Sequence, residues 1–134
     1  MTGSEQALHQ DMAVFHIWPC NFLIGAWIAC EDVAEGSGPL VLYPGSHRAP
    51  FFPGFTQYPQ TNLRTADRET FRRYQDYVDD LATRFERREF RATKGQVLFW
   101  HGILIPRRGG DRAPRDVAQV DGPALLGPGR RPGP

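Results

Sequence analysis

The sequence predicts a mainly β fold, a β-sandwich or jelly roll with one helix attached. Three observations point there. Short apolar, β-prone runs alternate with Gly/Pro turns. One segment alone carries a helical period. The length, 134 residues with 40% apolar side chains, allows one ordinary domain and no more.

Ala13 to Trp18 is a short β-prone run that stops at Pro19, which cannot donate to a sheet ladder. Phe22 to Cys30, rich in Ile, Phe and Trp, is the strongest strand candidate, and its length is compatible with a strand buried on both faces. Pro39 to Tyr43 is a third strand, closed by the turn Pro44-Gly45-Ser46. Residues 49–66 space Pro and Gly as a long loop does. Over residues 68–87, Phe71, Tyr74, Val78, Leu81 and Phe85 recur at steps of 3, 4, 3 and 4. That spacing puts them on one face of an amphipathic helix. Asp67 is its expected N-cap, and Glu69 suits the positive end of the helix dipole. Phe90 to Thr93 and Gln96 to Trp100 read as a hairpin across Lys94-Gly95. After His101-Gly102 an apolar run resumes at Ile103 to Ile105.

Composition excludes several classes of function. A net charge of +1 gives no field that would recruit nucleic acid or an anionic membrane. No stretch reaches the ~18 apolar residues that a membrane span needs. The start, Met-Thr-Gly-Ser-Glu-Gln, lacks the basic and apolar regions of a signal peptide. Cys20 and Cys30 are too few for a disulfide scaffold and read as inert core thiols. The expectation is a soluble, cytoplasmic protein with reduced thiols and with neither nucleic acid nor membrane as partner.

The composition changes near residue 106. Residues 106–134 hold six Pro, six Gly and six Arg and no aromatic residue. Such a segment buries too little surface to offset its ordering entropy, so a domain over 1–105 and a disordered tail over 106–134 are expected.

His9-Gln10-Asp11 is the first constellation with chemical meaning. In an extended segment residues i and i+2 point to one side, so this imidazole and carboxylate can converge on one ion. Two histidines and a carboxylate, with open positions opposite, are what non-haem Fe(II) oxygenases use. Taken alone, the pair also fits a solvated His and Asp near a frayed terminus.

Further along come Leu23-Ile24-Gly25-Ala26-Trp27-Ile28-Ala29-Cys30-Glu31-Asp32-Val33, then Gly38-Pro39-Leu40, Pro44-Gly45-Ser46-His47-Arg48 and Lys94-Gly95-Gln96-Val97-Leu98-Phe99-Trp100-His101-Gly102. In order and spacing this series, from about Ala7 to Ile105, resembles the phytanoyl-CoA dioxygenase family of Fe(II)- and 2-oxoglutarate-dependent oxygenases. The resemblance implies a double-stranded β-helix, here a partial one, and a jelly-roll variant. It also implies Fe(II) and 2-oxoglutarate as cofactor and co-substrate, with His9 and Asp11 as iron ligands. It sets Trp27 beside the 2-oxoglutarate and leaves two readings of His101, a place in the cofactor pocket or a residue that satisfies a buried strand end. For Trp27 a core aromatic is the competing reading. For His47 a turn-stabilising role is the better one. His16 receives no role.

The family pattern breaks at its third ligand. A histidine is expected five residues after His101, and Pro106 stands there. Arg112 and Arg115 lie near the place of the arginine that would pair with the 2-oxoglutarate carboxylate, but in sequence that is not strand-like. Back-translation from Pro106, read one nucleotide later with free codon choice, permits a His-Gly-Gly and, thirteen places on, an arginine. The sequence-level expectation is therefore a truncated, frame-shifted family member with a non-native tail and little turnover. Two alternatives remain open. One is a non-catalytic jelly-roll module that binds a ligand or a protein. The other is a cupin-like metal site made by His9, Asp11 and His101.

Overall fold

The computed structural model describes residues 7–19, 22–34, 38–108 and 118–120. Six strands and one α-helix make up the described chain: β1 (Ile24–Ile28), β2 (Leu40–Leu42), α1 (Arg68–Ala82), β3 (Arg88–Phe90), β4 (Val97–His101), β5 (Pro106–Arg108) and β6 (Ala118–Val120). Two short 3-10 turns, Asp11–Ala13 and Ser46–Arg48, join them. The strands form two sheets. One is the antiparallel pair β1–β4, and the other has the order β5-β2-β3-β6. In the second sheet β2 runs antiparallel to β3 and β5, while β3 and β6 are parallel. The expected β fold with a single helix is present.

The helix forms where its pattern predicts. The Asp67 carboxylate accepts the N–H of Thr70 at 2.7 Å and caps the first turn. Tyr74, Val78, Leu81 and Ala82 are buried on one face. The helix ends at Ala82 rather than near 87, because Thr83 folds back and donates both its N–H and its hydroxyl to the carbonyl of Asp80. Phe85 then packs from the following turn instead of from the helix. Phe71 lies on the rim, 43% exposed, and not in the core.

Strand alternation divides the interior. Val41 faces α1 and joins a cluster with Tyr43, Phe52, Phe55, Tyr74 and Val78. Its neighbour Leu42 faces the other way and packs with Phe90, Leu98 and Leu104. The loop over 49–66 is present as a loop and contributes much of the first cluster. The rings of Phe52 and Phe55 meet Tyr74 at centroid distances of 5.4 Å each.

Five local expectations are corrected. Ala13 to Trp18 is no strand: the chain leaves the 3-10 turn at Ala13 and stays irregular to Pro19. The strand at 24–28 is covered on one face only. Ile24 is 69% exposed and Ile28 60%, since nothing among the described residues covers that side. The turn at Lys94-Gly95 exists, with Gly95 at φ 89°, but its flanking strands belong to different sheets. β3 pairs with β2 and β4 with β1, so the turn is a crossover between layers and not a hairpin. Beyond the expected boundary at Ile105, Pro106–Arg108 pairs with β2. Most of the expected tail lies outside the described residues, as do Cys20, Arg112 and Arg115. Cys30 is exposed rather than a core thiol. Among the described residues no helix is long and apolar enough to cross a membrane.

Candidate metal centre

The His9-Gln10-Asp11 segment is held from both sides. Gln10 is fully buried. Its N–H donates to the Tyr74 hydroxyl at 2.8 Å, and its side-chain amide donates to the Ile103 carbonyl at 3.0 Å. The N–H of Met12 donates to the Gly102 carbonyl at 2.9 Å. With Gln10 extended (φ −112°, ψ 131°), the residues on either side of it turn away from the core together.

The two side chains converge. His9 Nε2 stands 3.3 Å from Asp11 Oδ1. Each has a second anchor. His9 Nδ1 lies 3.0 Å from the Ala7 carbonyl, which can only accept, so Nδ1 carries the proton. Asp11 Oδ2 accepts the indole N–H of Trp100 at 2.8 Å. The hydrogen bond with Asp11 holds the His9 pKa above its ordinary value, against the opposing effect of burial. Without a metal, the protonated form of His9 directs its Nε2–H at Oδ1.

This arrangement fits part of a metal site. Cis donors on one octahedral ion, each ~2.1 Å from it, stand about 3 Å apart. Nε2 and Oδ1 have nearly that separation, and their other polar atoms are engaged elsewhere. A histidine whose second nitrogen is bonded to a carbonyl is the usual outer-shell arrangement of a metal-binding imidazole. The pair opens on a cavity of about 730 Å³ whose wall includes Trp27, Val33, Leu40, Trp100 and Pro106. Pro106, at the third-donor position of the pattern, therefore faces the same space and offers no donor atom. Among the described residues no group of three or more His, Cys, Asp or Glu side chains is placed to share an ion.

The remaining candidates separate. Trp27 lines the cavity, with its ring edge-on to Phe90 at 5.9 Å between centroids. His101 does not line it. Neighbouring residues of a strand face opposite ways, so Trp100 takes the cavity side and His101 the other. His101 Nδ1 accepts the N–H of Ile103 at 3.2 Å, and its ring lies 6.4 Å from that of His47. A site built from His9, Asp11 and His101 is thus not what the geometry brings together. The Pro44 to His47 turn acts through Ser46, whose hydroxyl accepts the N–H of Ile105 at 3.0 Å and fixes the approach to Pro106. His16 bonds to the amide of the buried Asn62 at 2.9 Å. The sequence reading missed Gln10, Tyr74 and the Trp100–Asp11 bond. The two-residue alternation of an extended segment is a signal for Gln10, since it turns inward when His9 and Asp11 turn outward, whereas the Trp100 contact needs the sheet order.

The family model described as Phytanoyl-CoA dioxygenase (PhyH) matches residues 1–114. The rat protein "Phytanoyl-CoA dioxygenase, peroxisomal" is 32% identical over 109 residues, covering 81% of this chain and 30% of that protein. Its bovine counterpart is 33% identical over 114 residues, covering 82% and 30%. The chain thus spans under a third of the length of these relatives. In structure it resembles the non-heme alpha ketoglutarate dependent epimerase SnoN from nogalamycin biosynthesis. The TM-score is 0.55 at 20% identity, over 84% of this chain and 37% of that one, a likeness of fold. The family model over residues 1–114, with relatives 32% and 33% identical, leads to one statement: the chain belongs to the phytanoyl-CoA dioxygenase family.

Proposed function

We propose that this chain carries two of the three protein ligands of an Fe(II)- and 2-oxoglutarate-dependent dioxygenase centre that hydroxylates a small organic molecule, and that by itself it turns over little or not at all. The observation that carries the reading is the 3.3 Å approach of His9 Nε2 and Asp11 Oδ1 on the wall of a cavity. Iron, when bound, supplies the activation of O2 towards a C–H bond. His9 and Asp11 would hold it. Trp27 gives the apolar wall against which the co-substrate would lie, and Val33 and Leu40 help exclude water. Pro106, where a third donor is due, is the reason for weak turnover. A cytoplasmic location, a small-molecule substrate and a jelly-roll closure of the two sheets are parts of the same reading.

The test is an anaerobic Fe(II) titration together with an assay of 2-oxoglutarate decarboxylation. Metal binding should vanish in His9→Ala and Asp11→Ala, and decarboxylation should stay near background. Metal binding indifferent to both substitutions overturns the centre, and robust stoichiometric turnover overturns the predicted impairment. The missing donor at Pro106 also favours a second reading, a non-catalytic jelly-roll module that binds a ligand or a protein. In that case ligand capture is indifferent to chelators and to loss of Asp11.

A further inference from the structure

Trp100 and Gly25 face one another across the β1–β4 pair. The indole does not stand off the sheet. A Cβ built on Gly25 would lie 2.7 Å from Trp100 Nε1 and closer still to the fused ring carbons, so the ring rests directly on the Gly25 backbone. From that seat its N–H reaches Asp11 Oδ2 at 2.8 Å. Any side chain at position 25 would lift the indole and carry its N–H off that line. The glycine is thus explained by the ring it receives, and the ring by the carboxylate it grips.

We infer that Gly25 and Trp100 form a positioning pair for the metal-binding carboxylate, an inference that rests on the metal centre proposed above. A free carboxylate can chelate one ion through both oxygens or rotate to offer either. With Oδ2 held by the indole, Asp11 presents Oδ1 alone, on the side where His9 Nε2 waits. Trp100 acts on the ion through Asp11. It sets the denticity and direction of that ligand. Partners of this kind alter metal affinity by about 10- to 100-fold.

Cobalt(II) is the probe, because its visible absorption reports coordination geometry without turnover. The wild-type chain should give a Co(II) spectrum that is lost in His9→Ala. Trp100→Phe keeps the ring and removes the donor. It should weaken Co(II) binding about 10- to 100-fold and change the band pattern. Gly25→Ala, which keeps the donor and displaces it, should do the same. Should either variant fail to fold, the wild type alone decides: on adding Co(II), the indole N–H resonance of Trp100, assigned with Trp18→Phe and Trp27→Phe, should move strongly. Folded variants with wild-type affinity and spectrum overturn the positioning role and leave the metal centre standing. An unmoved Trp100 resonance in a Co(II)-loaded chain does likewise. A wild-type chain that takes up no Co(II) brings down the centre, and the positioning role with it.

Discussion

The hydroxyl of Tyr74 accepts the backbone N–H of Gln10 at 2.8 Å across a sequence separation of 64 residues. Both groups are buried, so this bond ties the middle of the helix to the residue between the two candidate metal ligands. Tyr74→Phe leaves that N–H without its acceptor. The expected cost is about 1–3 kcal/mol of folding stability, read from urea unfolding, with a parallel loss of metal affinity. Unchanged unfolding would mean that the segment is held by its other bonds alone.

The metal-free pair should make stability depend on pH with a definite sign. The Asp11 side chain raises the His9 pKa above 6.5, burial opposes the rise, and the Ala7 carbonyl adds to it. The stabilisation is therefore fully present below pH 6.5 and lost as pH climbs through the higher folded value. Asp11→Asn should flatten the melting temperature across that window. Metal uptake displaces the same proton, so Co(II) affinity should rise over the range in which the melting temperature falls.

Pro106→His should place an imidazole on the cavity wall shared by His9 and Asp11. Proline sits at the first residue of β5, so a residue with an N–H is accepted there without disturbing the ladder. Co(II) affinity should increase by at least about tenfold, with a spectrum of higher coordination. Affinity equal to wild type would show that position 106 is not aimed at the ion. The coding DNA gives an independent check, because the frame-shift reading requires a histidine codon one nucleotide downstream.

The outer face of β1 and β4 carries Ile24, Ile28, Val97 and Phe99, all exposed. So much apolar surface on a small chain should bind a hydrophobic dye strongly and limit solubility. Replacing Ile28 and Phe99 together by lysine should cut dye fluorescence severalfold. Both residues point away from the core, so the melting temperature should hardly move. A large drop in melting temperature would show that this face is packed in solution.

What the sequence reveals depends on how local the cause is. The 3-4 spacing from Tyr74 to Leu81 specifies the helix face, because neighbouring turns of one helix decide it. The far end of that helix was not legible, since it is set by the bonds Thr83 makes to Asp80. His9 and Asp11 were legible as a pair, because a two-residue step fixes their common direction whatever lies around them. Trp100 was not, and neither was the separation of His101 from the site. Both depend on which sheet β4 joins, a choice made between segments some seventy residues apart in sequence. The buried Gln10 shows the same limit: its partners, Tyr74 and Ile103, come from two distant elements.

One consequence concerns the order of events in biosynthesis. The bond from Trp100 to Asp11 closes a separation of 89 residues, and the bond from Met12 to Gly102 closes a similar one. His9 and Asp11 leave the ribosome long before the residues that aim them. A nascent chain therefore brings His9 and Asp11 into their bonded geometry only after nearly all of the described residues have emerged, so the pairing is a late event however early its two members are made.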